Sequence, residues 1–305
     1  MKKKATVISL VCSVIVLCLL CALFAGLMLW GDGGSFFGGV FHIKSYNETG
    51  YQTGDAVFQA EDLKNVKIDW ISGSVDLRVH DKPTIEVTET YTGSDDGRMR
   101  VRYENGELTV KFSKPKWFFG FGHFRNKNLT VLIPLSLADQ LDLVSLDNVS
   151  SEVSISGISG EKIHLSTVSG DVRGTGLTFS DADFDGVSGK ISIEDGRFQD
   201  LRMDTVSGGF SLAGEVLSGR FNTVSGEISL CSLISPEKIR TDSVSGSVRL
   251  EIPADSTFRA SVDKVSGKLE TEFSGGWNGD VFTVGDGRGD FNFETVSGDI
   301  HILAK

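Results

Sequence analysis

The tripeptide Val-Ser-Gly recurs at 168–170, 187–189, 206–208, 224–226, 244–246, 265–267 and 296–298, and Ile-Ser-Gly stands at 71–73 and 158–160. Between Ser169 and Ser266 the serines are 19, 19, 18, 20 and 21 residues apart, and a 31-residue step leads on to Ser297. A near-constant period of this length marks a chain of stacked supersecondary units, none of which can bury its apolar face alone. The copies share the form apolar-x-apolar-x-Thr-Val-Ser-Gly-x-apolar-x-apolar, as in Leu201 to Leu212. Two short strands of period two meet at a corner.

About 19 residues hold two strands and a return loop, which is one coil of a parallel β-solenoid with coils about 4.8 Å apart. Nine Val/Ile-Ser-Gly corners give a rod of roughly 40 Å at that spacing. The corner pairs are Ser169 and Gly170, Ser188 and Gly189, Ser207 and Gly208, Ser225 and Gly226, Ser245 and Gly246, Ser266 and Gly267, and Ser297 and Gly298. Leu201 and Met203 have one strand parity, whereas Val206, Phe210 and Leu212 have the other. The valine is therefore expected to face inward, with a bend near Thr205 and the glycine supplying the permissive backbone.

Residues 74–150 are expected to add hairpins and less regular coils, with Asn105-Gly106 as a turn. The 31-residue step is glycine-rich at 275–279 and 285–289 and reads as a loop inserted before the last coil. The strand pair from Phe291 to Leu303 is then expected to cap the stack.

The N-terminus has a different character. Lys2, Lys3 and Lys4 precede an uncharged run from Ala5 to Trp30, and 26 helical residues span roughly 39 Å, more than a hydrocarbon core. A cleaved signal peptide is the rival reading, but the run is long and no small-x-small cleavage pattern follows it. Residues 1–30 are accordingly read as a cytoplasmic stub and uncleaved single-pass anchor. The positive-inside rule sends the remainder across the cell membrane. Residues 31–54, rich in Gly, Ser, Asn and Thr, read as a flexible tether, and residues 55–305 as the solenoid domain.

Three of the four cysteines lie in the anchor, leaving Cys231 alone in the exported part, so no intramolecular disulfide forms there. With the three N-terminal lysines set aside, 27 basic residues face 41 acidic ones, a net charge of about −14. Such a surface disfavours nucleic acid as a partner.

Seven serines at equivalent corners cannot each have a base and an oxyanion hole, so they are read as structural hydroxyls bonded along the stack. His42, His80, His123, His164 and His301 show no metal-ligand spacing, and no metal or cofactor is expected. Two residues before each valine lie Ser166, Asp185, Asp204, Asn222, Asp242, Asp263 and Glu294. Stacked coils align them into an outward column, which is either a solvated acidic face or a surface cation site. Asp185, Asp204, Arg202 and Arg220 are the residues that a carbohydrate-active enzyme on such a fold would have to gather.

One stretch departs from its acidic surroundings. Residues 111–127 hold six aromatic and five basic residues, and the candidate contact loop is Lys111, Lys114, Lys116, Trp117, Phe118, Phe119, Phe121, Phe124 and Arg125. Two readings stand for it. Its rings enter a membrane interface or partner groove while its cations meet phosphate or wall-polymer charge, or it plugs the open end of the solenoid.

The repeats, the closing segment Gly285-Asp286-Gly287 through Asp299-Ile300, and Leu129-Thr130-Val131-Leu132-Ile133-Pro134 resemble the bacterial putative-adhesin family of β-strand repeats. That family includes LiaG-like proteins and is a domain of unknown function. The resemblance covers roughly residues 60–305. It implies a right-handed β-solenoid on a bacterial envelope, sometimes associated with envelope-stress regulation, and it transfers no catalytic residues. The expected function is thus noncatalytic: a membrane-anchored envelope protein displaying a solenoid for adhesion to, or binding of, a surface protein or wall polymer. The alternatives are an accessory regulator of a membrane stress sensor and a carbohydrate-active enzyme.

Overall fold

A computed structural model describes residues 46–60, 62–114 and 127–305, whose regular structure is 22 strands joined into one sheet system and two single-turn 3-10 helices. The expected anchor over residues 1–30 lies outside them, and no helix among the described residues is long and apolar enough to cross a membrane.

The parity of a single rung explains the architecture. Leu201, Met203 and Thr205 are buried, Val206 is half-exposed, Ser207 is exposed, and Gly208, Phe210 and Leu212 are buried again. Inward positions thus run 201, 203, 205, then 208, 210, 212. The corner inserts two outward residues where a strand would have one, and this turns the chain from one sheet to the other. Val206 therefore does not face inward as its apolarity suggested. Thr205 takes the interior place because its hydroxyl satisfies the corner: Gly208 N–H donates to Thr205 Oγ1 at 3.1 Å. Thr167, Thr223 and Thr295 do the same for Gly170, Gly226 and Gly298.

Successive corners are tied by the serines, whose hydroxyls donate to the valine carbonyl of the rung before. Ser169 bonds to Val149, Ser188 to Val168, Ser207 to Val187, Ser225 to Val206 and Ser245 to Val224, at 3.1–3.4 Å. The glycine is needed for space rather than for a left-handed backbone. A Cβ on Gly208 would lie 2.2 Å from the carbonyl oxygen of Gly189, and among the Val/Ile-Ser-Gly corner glycines only Gly73 and Gly267 have positive φ.

Two expectations about the corners are corrected. Ile158-Ser159-Gly160 is no corner: Ser159 and Gly160 open the strand Ser159–Thr167 on the return side. The corner missing from the count is Val149-Ser150-Ser151, where Asn148 replaces threonine and Asn148 Oδ1 accepts from Ser151 N–H. The 18-residue coil also has a structural cause: Asp195, at φ 51, is an extra residue in the return turn opposite the junction of Ala213 and Gly214.

The stacking order departs from chain order at both ends. The last coil, Gly289–Thr295 with Ile300–Ala304, sits between Lys238–Ser243 with Val248–Ile252 and Phe258–Lys264 with Leu269–Thr271. It does not cap the stack. The inserted segment does so instead, since Val281–Val284 runs antiparallel along Phe258–Lys264. At the other end Asn65–His80 is the second rung, and Glu107–Lys111 with Lys127–Pro134 lies outside it. The antiparallel strands Arg100–Glu104 and Thr84–Glu89 close that end. Residues 46–54, expected to belong to the tether, are part of this cap: Tyr46 packs on Tyr51 at 5.0 Å and donates to Ser113 O, and Gln52–Thr53 pairs with Arg100–Glu104.

The interior is a continuous apolar cluster from Ala56 to Ile302. Rings run along its axis, with Phe184 5.9 Å from Phe198 and 6.3 Å from Phe210, and Phe210 5.8 Å from Phe221. A buried ion pair stands beside its N-terminal end. Lys127 is 1% exposed, and its ammonium lies 2.9 Å from the carboxylate of the fully buried Glu89. That ammonium also donates to Gly97 O and Phe112 O and faces the rings of Trp70, Tyr91 and Phe112. Two carbonyls and the Glu89 carboxylate surround the ammonium, yet burial pushes its pKa down to about 8, against the opposing pull of Glu89.

Two predictions follow from these contacts. Gly208→Ala places a methyl against the carbonyl of Gly189 and should destabilise the protein by about 1–3 kcal/mol. Ser207→Ala removes only one neutral hydrogen bond, about 0.5–1.5 kcal/mol; urea denaturation of both variants checks the order. For Lys127 the folded pKa lies below the unfolded value of about 10.4. Between pH 8 and that value the unfolded chain holds a proton that the folded chain lacks, so this group makes stability rise with pH. The stability of the native protein relative to Lys127→Met should therefore increase from about pH 8 to 10 and level off below about pH 7. At pH 7 the single variant should lose about 3–5 kcal/mol, because it leaves Glu89 buried and without its counter-ion. Lys127→Met/Glu89→Gln should recover part of the loss.

Candidate binding face

Outward positions on the strands preceding the corners form one flat face, and strand register places their side chains in columns. Asp147, Ser166, Asp185, Asp204, Asn222, Asp242, Glu294 and Asp263 are successive register partners. The column expected from sequence is therefore real, extended by Asp147 and with Glu294 and Asp263 exchanged by the swapped coil order. Crowding shows in its protonation. Burial, then the carboxylate of Asp183, pushes Asp185 up to about 6. Burial raises Asp242 against the opposing charge of Arg220 and Arg240, and burial followed by Asp242 raises Glu294.

A second column runs beside the first, two residues earlier on each strand: His164, Asp183, Arg202, Arg220 and Arg240 are successive partners. Arg202 bonds to Asp204 at 2.8 Å, which raises the guanidinium's own pKa. Neither Arg220 nor Arg240 makes an ion pair among the described residues, and Arg240 Nε is buried without a hydrogen-bond partner. The four residues Asp185, Asp204, Arg202 and Arg220 thus do meet, on adjacent strands of one sheet face.

At the head of the columns His164 Nδ1 lies 3.6 Å from Asp183 Oδ2, and His164 Nε2 lies 3.9 Å from Asp147 Oδ1. Local spacing in the sequence hides this meeting. In a solenoid the relevant spacing is the coil, and Asp183 stands 19 residues, one rung, after His164.

The corner serines from Ser169 to Ser297 bond to the carbonyl of the adjoining corner, whereas the buried hydroxyl of Ser72 has no partner among the described residues. Of the candidate contact loop, Lys116, Trp117, Phe118, Phe119, Phe121, Phe124 and Arg125 lie outside the described residues. Lys111 closes a strand and is ion-paired with Asp69, and Lys114 pairs with Asp96 at 3.5 Å. Phe112, from the same stretch, is buried edge-on to Trp70 at 5.0 Å. Residues 112–126 join Glu107–Lys111 to Lys127–Pro134, which pair with opposite halves of Asn65–His80. The stretch therefore connects the two halves of an outer rung where other rungs have their Val-Ser-Gly corner.

Two solved structures share this fold. A putative adhesin from Bacteroides fragilis has a TM-score of 0.51 and 14% identity, covering 82% of this chain and 97% of its own. A putative lipid binding protein from Parabacteroides distasonis has a TM-score of 0.52 and 16% identity, covering 82% of this chain and 96% of its own. At such identities the likeness establishes the fold alone. No curated protein sequence matches significantly. The model of the Toastrack DUF4097 family matches residues 63–303, from the start of the first long strand to the last. The chain belongs to the Toastrack DUF4097 family.

Proposed function

We propose that this protein is a noncatalytic display module, anchored in the cell membrane by residues 5–30, that holds its right-handed solenoid on the outer side against a partner carrying anionic groups. The observation that carries the reading is the arginine ladder. Arg202, Arg220 and Arg240 stand on consecutive rungs, and two of them have no ion-pair partner among the described residues. Guanidinium forks about one strand spacing apart suit phosphate or carboxylate, which they bind in bidentate fashion. The exported part is acidic overall, so attraction of anions is concentrated where cations cluster, on this ladder and in the basic 111–127 stretch. The reading is noncatalytic because the corner hydroxyls are spent on neighbouring carbonyls, and the carboxylates stand on the face of a sheet.

The solved relative described as an adhesin supports surface binding, and the one described as lipid binding supports headgroup phosphate as one source of the anion. Tyr46 donates to Ser113 O, which joins the first described residue to the start of the aromatic-basic stretch. On this reading Trp117, Phe118 and Phe119 meet the membrane surface.

Full-length protein in nanodiscs of zwitterionic lipid is the material for the test, mixed separately with isolated cell-wall sacculi and with vesicles containing anionic lipid. Arg220→Ala/Arg240→Ala should lower retention at least tenfold on whichever surface binds the native protein, and added salt should weaken the native protein more steeply than the variant. Equal retention of the two proteins on both surfaces sinks the arginine face as the binding site.

A further inference from the structure

Most of the charges on the flat face are relieved within it. Asp204 receives hydrogen bonds from Arg202 at 2.8 Å and from Asn222 at 2.5 Å, and Asp242 feels the charges of Arg220 and Arg240 beside it. The head of the columns differs. Asp183 and Asp185 project from one strand on the same side, and the register partner of Asp183 on the following rung, Arg202, has turned to Asp204. The imidazole of His164 on the preceding rung stands against Asp183, and Arg202 acts on the two carboxylates only through its more distant charge. One donor atom from each of His164, Asp183 and Asp185 lies within 4.8 Å of the other two, and all three residues are half-buried.

An independent observation points into the same place. Ser166 is the register partner of both Asp147 and Asp185, and as an outward residue between the inward Leu165 and Thr167 it forms the floor of this cluster. It is only 3% exposed, yet its hydroxyl has no hydrogen-bond partner among the described residues. A hydroxyl without a protein hydrogen-bond partner, set in the same register row as two carboxylates and two residues from an imidazole, is a group that a hydrated ion would complete.

We propose that His164, Asp183 and Asp185 bind one divalent transition ion of the zinc class. An imidazole with carboxylates suits such ions better than calcium, which takes six to eight oxygens. Tetrahedral coordination at about 2.0–2.2 Å needs donor atoms roughly 3.3 Å apart. The three donors are within a side-chain rotation of that arrangement and leave the fourth position for water. The two nitrogens of His164 divide the work: Nδ1, 3.6 Å from Asp183, binds the ion, and Nε2, 3.9 Å from Asp147, keeps its proton and turns it toward that carboxylate. An orienting carboxylate behind a ligating histidine fixes its ring and tautomer. Asp147 is thus a positioning residue.

The test is calorimetric titration of full-length protein in nanodiscs with zinc chloride, together with thermal unfolding with and without the metal. The native protein should bind one more equivalent of zinc than His164→Gln or Asp183→Asn, and zinc should raise its Tm by more than it raises theirs. All three proteins should have the same circular dichroism spectrum in the absence of metal. Asp147→Asn should keep the stoichiometry and weaken the site about 10-fold. Asp242→Asn, lower in the same column, should bind as the native protein does, and a tenfold excess of calcium should not displace the zinc. Equal stoichiometry in the native protein and His164→Gln overturns the site. So does equal weakening by Asp242→Asn, which would mean diffuse attraction along the acidic column, and so does ready displacement by calcium.

Discussion

From Gly170 to Gly246, and again at Gly298, each corner glycine lies so near the carbonyl of the adjoining corner that a Cβ would come within 1.8–2.2 Å of it. This close approach sets the distance and the phase between rungs. A rung slipped by one residue would drive a side chain into that carbonyl, turn the interior threonine outward and lose the serine bond to the rung before. Register is thus fixed at one narrow edge of the coil, and the sheets on either side inherit it. The aromatic file of the interior and the charged columns of the surface have the same cause, since both are rows of equivalent positions brought into line by the corner.

That dependence explains which parts of the structure the sequence discloses. The corner repeat is local, so the period, the strand pairs, the outward column at Asp185 and Asp204 and the stacking role of the serines can all be read from it. The inward or outward sense of Val206 cannot be read from apolarity alone. A threonine whose hydroxyl accepts from the corner N–H is a better interior residue there than valine, which would leave that N–H unpaired. The exchange of the last two coils is hidden for a related reason. A translational repeat gives every corner the same complementary surface, so nothing in Val-Ser-Gly itself says which copy lies beside which. The order is decided by the 31-residue connection, whose strands Gly276–Asn278 and Val281–Val284 fold back on one another and occupy the outer edge. The last coil must then enter on the inner side.

The same reasoning separates residues that look alike in sequence. Lys127 and Lys114 flank the same aromatic stretch, and composition treats them as equal cations. In the fold Lys127 is surrounded by Trp70, Tyr91 and Phe112 and compensated by Glu89, whereas Lys114 meets Asp96 near the surface. The difference arises because Lys127 opens a strand whose outer edge is covered by Thr84–Glu89, and that antiparallel cover brings in the buried carboxylate. His164 was equally opaque, since its partner lies one rung away rather than a few residues away. Its identification depends on knowing the coil length first.

Stacking identical positions about 4.8 Å apart also has an electrostatic cost, about 0.9 kcal/mol for each like-charged pair even in bulk water. The chain spreads that cost in three ways. Ser166 and Asn222 interrupt the carboxylate column, the arginine column runs beside it, and Arg202 bonds directly to Asp204. Relief is incomplete at two places on the face. Arg220 and Arg240 are adjacent guanidinium groups that have no ion-pair partner among the described residues, while Asp183 and Asp185 are adjacent carboxylates that face the imidazole of His164 and feel Arg202 only at a distance. An anion gains most at the first place and a cation at the second, because each would remove a repulsion that the corner geometry enforces. Ligand sites on such a solenoid are therefore to be sought where the columns fail to compensate one another, rather than in any one rung.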